Sequence, residues 1–148
     1  MIYIVIAIVL CALDLVIKAY IEKKKDGKND SAIWNGKIIL TKQYNKGAFL
    51  NWLEGKRKVV LVISGVLLGF LLLMFGILVP KKDNHLLKLG YALAVGGACS
   101  NVYERFKKGH VVDYFSFSFL KKVVFNLGDI FIFLGALIIG FASLFKTK

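Results

Sequence analysis

Proline is nearly absent from this chain, with one in 148 residues, and cysteine and histidine occur only twice each. Cys11 and Cys99 both fall within apolar runs, where a thiol behaves as a small buried hydrophobe. Two such cysteines make neither a disulfide framework nor a cysteine zinc site. His85 and His110 stand in different loops without zinc-ligand spacing, so neither a metal nor another cofactor is expected. No Gly-x-Ser-x-Gly elbow and no phosphate-cradling glycine loop occurs. Acids are scarce as well: nine Asp and Glu face 21 Lys and Arg, for a net charge of +12. Nucleic-acid binding would need a basic face interleaved with exposed aromatics on a soluble domain, and the chain has no room for one. Anionic membrane lipids are the partner this charge fits. Internal repeats and low-complexity tracts are also missing, and the two halves share no pattern, which argues against an inverted-repeat transporter.

What is present is hydrophobic length. The chain is 57% hydrophobic with a mean hydropathy of +0.66. Four stretches, roughly 2–20, 59–79, 86–103 and 123–145, approach the ~20 apolar residues that cross a bilayer core. The second, "VVLVISGVLLGFLLLMFGILV", carries no charge, whereas a helix of a soluble bundle would show a polar stripe. The expected fold is an all-α membrane protein: one domain, 1–148, of four transmembrane helices. The first stretch lacks a basic leader region and a small-residue cleavage site, so it is expected to be a retained span. Residues 21–58 read as a small folded cap on the membrane. Within it, "NGKIILTKQYN" predicts a turn followed by a strand, and "GAFLNWLEGKRK" a short amphipathic segment. Trp34 and Trp52 suit the headgroup belt.

The polar residues inside the apolar stretches are costly unless paired or functional. Asp14 and Lys18 stand four apart on one helical face, in the favourable order. "GGACSN" allows close helix approach and leads into Asn101, Glu104 and Arg105. Asn126 and Asp129 share a face three residues apart. Asp113 sits in another apolar and aromatic run. Were 113–129 one helix, the two aspartates would lie ~24 Å apart. But "YFSFSF" alternates at period two, as a strand does, and a chain turning at Gly109 and re-entering at 123 brings both carboxylates to one interface. Two adjacent carboxylates share a proton, which suits hydrolysis: one activates water while the other donates a proton.

In order and at sensible spacing, "DLVIK" (14–18), "NKGAF" (45–49), "GGACSNVYERFKKGHVVDYF" (96–115) and "FNLGDIFIFLG" (125–135) resemble the successive motifs of lipoprotein signal peptidase, or signal peptidase II. The resemblance covers almost the whole chain. It implies a membrane aspartic endopeptidase with a β-containing extracytoplasmic cap between helices 1 and 2. It also implies cleavage of bacterial diacylglyceryl-prolipoproteins before the lipidated cysteine, and sensitivity to globomycin-type peptides. Asp113 and Asp129 then match the catalytic dyad. Asp14, Lys18, Asn45, Gly47, Asn101, Glu104, Arg105 and Asn126 match substrate-binding or supporting positions, and Gly97 a family glycine. Glu104 stands where the family usually has Asp, Leu15 where it has Gln, and Gly128 where it has Ala. The implied location is the bacterial cytoplasmic (inner) membrane, with the site outside. The positive-inside rule points the other way: ten Lys and Arg fall in 21–58 and five in 104–122, against five on the opposite side. An ion-conducting protein and a non-catalytic lipoprotein binder are the alternatives.

Overall fold

The computed structural model describes residues 1–24, 30–47, 55–120 and 123–145. The charged stretch at 25–29, most of the expected amphipathic segment with Trp52, and Lys121 and Lys122 lie outside them. Chain order is α1 (Ile2–Lys24), β1 (Ser31–Ile33), β2 (Ile38–Asn45), α2 (Arg57–Leu78), α3 (His85–Lys108), β3 (Val111–Phe117), a 3-10 turn (Ser118–Leu120) and α4 (Leu127–Phe145).

Among the described residues, three helical segments are long and apolar enough to cross a membrane: Ile2–Lys24, Arg57–Leu78 and Leu127–Leu144. α3 has comparable length but carries Lys88, Glu104, Arg105, Lys107 and Lys108. It is the central helix, packed against α1, α2 and α4, so protein covers groups that lipid would not. Glycine makes the approach close. A Cβ on Gly97 would stand 2.2 Å from the carbonyl oxygen of Gly128, and one on Gly135 would stand 2.6 Å from that of Gly90. α3 and α4 therefore touch backbone to backbone, where dispersion replaces the hydrophobic force that lipid removes. On another face, Ala7, Phe75, Ala92 and Val95 form an apolar cluster joining α1, α2 and α3.

α3 ends at Gly109 (φ +74°), whose N–H bonds the Arg105 carbonyl at 3.0 Å. That left-handed cap is the turn expected at this residue, and it sends the chain back as β3. The β-structure is a three-stranded antiparallel sheet in the order β1-β2-β3. The expected strand after Asn35–Gly36 is β2, reached through a tight turn in which Trp34, Asn35 and Gly36 all have positive φ. The sheet is thus not confined to 21–58: its third strand arrives from beyond α3. The last helix also starts later than the expected 123. Phe125 exchanges backbone bonds with Phe115 at 2.7 and 3.0 Å, which holds it in a β-bridge and out of the helix.

Candidate functional site

β3 alternates its side chains, as a strand must. Asp113 turns toward β2 and the start of α4, whereas Tyr114 turns toward α1. On β2, a bulge between Leu40 and Gln43 shifts the register, and such an irregularity re-aims nearby side chains. Two residues beyond Gln43, Asn45 donates from Nδ2 to Asp113 Oδ2 at 3.0 Å.

The beginning of α4 is built as a capping box. Asn126 Oδ1 accepts from the Asp129 N–H at 2.9 Å, and Asp129 Oδ2 accepts from the Asn126 N–H at 3.1 Å. The same Asn126 amide donates from Nδ2 to Asp113 Oδ1 at 2.7 Å. One side chain therefore ties both aspartates together. Asp129 is also held from α3, where Asn101 Nδ2 donates to its Oδ1 at 2.9 Å. Burial, and then the charge of Asp129, raise the Asp113 carboxyl to about 7, so near neutrality it carries a proton for part of the time. Beside the pair is a cavity of about 380 Å³ lined by Asn45, Arg105, Asp129 and the apolar Phe125, Ile132 and Phe133, among others. Arg105 Nε and Asn45 Oδ1 are buried with no partner among the described residues.

Behind Asn101 lies a second buried cluster. Lys18, fully enclosed, pairs with Asp14 at 2.7 Å, donates to Ser100 Oγ at 3.0 Å and to Asn101 Oδ1 at 2.6 Å, and lies 3.6 Å from Glu104. Ser100 donates to Asp14 Oδ2 at 2.5 Å. Such an ion pair tolerates burial where further hydrogen bonds satisfy its groups, as Ser100 and Asn101 do here. Glu104 uses its full length: Oε2 accepts the Val112 N–H at 2.9 Å and Oε1 pairs with Lys108 at 2.8 Å. Lys18 and Asn101 thus link the cluster to Asp129.

The structure gathers Asn45, Asn101, Asp113, Asn126 and Asp129 within one hydrogen-bonded set, with Arg105 at the adjoining cavity. Asp14, Lys18 and Glu104 form the cluster behind. Gly47 is buried just past β2. Leu15 faces elsewhere, into an apolar cavity with Leu72 and Phe75, so its apolar character takes nothing from the site. Gly128 is not interchangeable with Ala in this setting, because a Cβ there would meet Asp14 Oδ2 at 2.7 Å. Sequence reasoning missed two residues. Ser100 was legible only as one more small residue, though it sits one helical turn before Glu104. Tyr114 stands in the sequence only as one member of an aromatic run.

Comparison with known proteins gives this arrangement a context. The family described as Signal peptidase (SPase) II matches residues 6–145. The lipoprotein signal peptidase of Caldicellulosiruptor bescii is 38% identical over 109 residues, covering 74% of this chain and 69% of that protein. The one from Clostridioides difficile is 30% identical over 147 residues, covering 98% and 96%. Two solved structures superpose with TM-scores of 0.85 and 0.82, each at 25% identity and covering 99% of this chain and 89% and 94% of theirs. They are described as bacterial membrane enzyme structures by the in meso method, at 2.3 and 1.9 Å resolution. The chain belongs to the signal peptidase II family, aspartic peptidases of the bacterial membrane that remove the signal peptides of lipoproteins.

Proposed function

We propose that Asp113 and Asp129 are the catalytic dyad. The observation that carries this reading is Asn126, which donates from its side chain to the Asp113 carboxylate and from its backbone N–H to that of Asp129. The ionised carboxylate takes a proton from water as the water oxygen attacks the scissile carbonyl carbon. The protonated one donates to the carbonyl oxygen, giving a neutral gem-diol. Collapse breaks the C–N bond: the leaving nitrogen takes a proton from one carboxyl as the other carboxylate takes one back from a gem-diol hydroxyl, which frees the acid and restores the dyad. Low-dielectric surroundings strengthen these transfers. Asn45 and Arg105 offer a buried acceptor and donor at the cavity wall, suited to a substrate backbone in extended form. Asn101 and Asn126 orient the dyad. Asp14, Lys18 and Glu104 support Asn101 from behind, and Gly47 admits the chain closely at the end of β2.

The substrate on this reading is a diacylglyceryl-prolipoprotein, cut before the modified cysteine, and globomycin-type peptides compete for the same cavity. The chain forms one domain, 1–148, with α3 as a fourth span shielded by its neighbours. The sheet is an extracytoplasmic cap, despite its basic residues, because the lipidated cysteine is presented at the outer face. The experiment is cleavage of a diacylated prolipoprotein by the purified protein, with an unlipidated peptide alongside. An acyl chain adds about 0.8 kcal/mol per buried methylene, so the lipidated substrate should be strongly preferred. Equal turnover of both, or none of either, would overturn the substrate assignment. Asn35→Cys in the hairpin turn, labelled from outside intact cells, tests the orientation.

A further inference from the structure

Tyr114 makes two hydrogen bonds that reach different parts of the molecule. Its hydroxyl accepts the Leu127 N–H at 2.9 Å and donates to Asp14 Oδ1 at 3.4 Å. Leu127 is the first residue of α4, and an N–H there has no partner within its own helix. Tyr114 is 6% exposed, so water does not readily take the place of its hydroxyl.

The position of Tyr114 in β3 gives these bonds their meaning. Asp113 is bonded to the Asn126 side chain, and Tyr114 to the Leu127 backbone. The Tyr114 and Phe115 N–H groups both donate to the Phe125 carbonyl, at 2.8 and 3.0 Å. Three consecutive residues of β3 thus grip the three consecutive residues that lead into α4, Phe125 to Leu127. Asp129 is two residues further on, in the first turn of that helix. The other end of the grip is Asp14, which is fixed in α1 by Lys18 and Ser100. Gly128 leaves the space that lets Asp14 lie against this turn. We propose that Tyr114 is a positioning residue, pinning the first turn of α4 to α1 and so fixing the separation of the two carboxylates. The inference rests on the dyad assignment above.

A misplacement of about 1 Å at reacting groups costs on the order of 10²-fold in rate. Tyr114→Phe keeps the ring and removes only the hydroxyl. The expected result is a fall in kcat of about 10–100-fold with KM within twofold, and faster hydrogen exchange at the Leu127 amide. Loss of stability alone is separated by the double variant Tyr114→Phe/Leu127→Pro. Proline is tolerated at the first helical position and removes the N–H that the mutation orphans. The double variant should recover melting temperature relative to Tyr114→Phe yet stay slow. The inference is overturned if Tyr114→Phe keeps kcat within twofold, if exchange at Leu127 is unchanged, or if the double variant regains full kcat. Asp113→Asn and Asp129→Asn run alongside: normal cleavage by either would overturn the dyad itself, whatever Tyr114→Phe does.

Discussion

α2 and α3 are nearly equal in length, 22 and 24 residues, and pack against each other, yet they occupy opposite surroundings. Apart from its first two residues, α2 is uncharged, and only Val60 and Phe75 are buried; Val66 and Phe70 are 67% and 58% exposed. α3 buries Lys88, Ser100, Asn101 and Glu104 along with its small residues. The difference is one of solvent. α2 presents apolar groups to hydrocarbon and is specified by hydropathy alone. α3 is specified by partners, because each buried polar atom needs a hydrogen bond that hydrocarbon does not supply.

The most damaging way to test this contrast is at the polar end. Asp113→Asn and Asp129→Asn should each lower cleavage by about 10²–10⁴-fold or more while leaving the fold intact. The double variant should be little worse, since groups acting as a unit are non-additive. Product formation on gels, beside a thermal melt, checks both statements.

Next comes Lys18→Met. It leaves Asp14 buried without its ion partner, a change that costs about 3–5 kcal/mol. Adding Asp14→Asn should recover part of that loss, and unfolding in mild detergent measures both. A smaller effect separates the glycines of the two helices. Gly97→Ala drives a methyl into the Gly128 carbonyl and should cost about 1–3 kcal/mol. Gly69→Ala in α2 meets nothing within 4 Å, so its melting temperature should hold or rise slightly.

The mildest test is pH. Asp113 holds its proton up to about 7 because burial and then the charge of Asp129 oppose ionisation. An unfolded Asp loses its proton near about 4. Between those values the folded state binds more protons, so its stability falls as pH rises through the window. Asp113→Asn should flatten that slope in melting temperature against pH.

Hydropathy alone revealed α1, α2 and α4, and the small residues of 96–101 announced a helix in close contact with another. The period-two run at 114–119 disclosed β3, although Ser118 and Phe119 lie in the 3-10 turn beyond its end. What remained hidden depended on distant partners. Periodicity tells which face a side chain occupies but not what lies opposite. Tyr114 and Asp14 are 100 residues apart in sequence, and Ser100 is 86 from Asp14. The late start of α4 was hidden for the same reason: "VVF" suits a helix or a strand, and the backbone of Phe115 bridges Phe125 out of the helix. Glu104 stands in the sequence only as a departure from the family's usual Asp; what its extra methylene reaches, the Val112 N–H and Lys108, is set by residues that follow the helix turn.

The capping box at the head of α4 carries a thermodynamic consequence. Asp129 accepts the Asn126 N–H, so on the dyad reading a reacting carboxylate is also the knot that closes a helix end. A change in its charge during turnover must alter the free energy of fraying at that end. Linkage makes the relation reciprocal. A ligand that holds Asp129 in one protonation state changes the order of the first turn, and a contact that orders the turn changes the proton affinity of Asp129. Local order and acidity are here two readings of a single equilibrium.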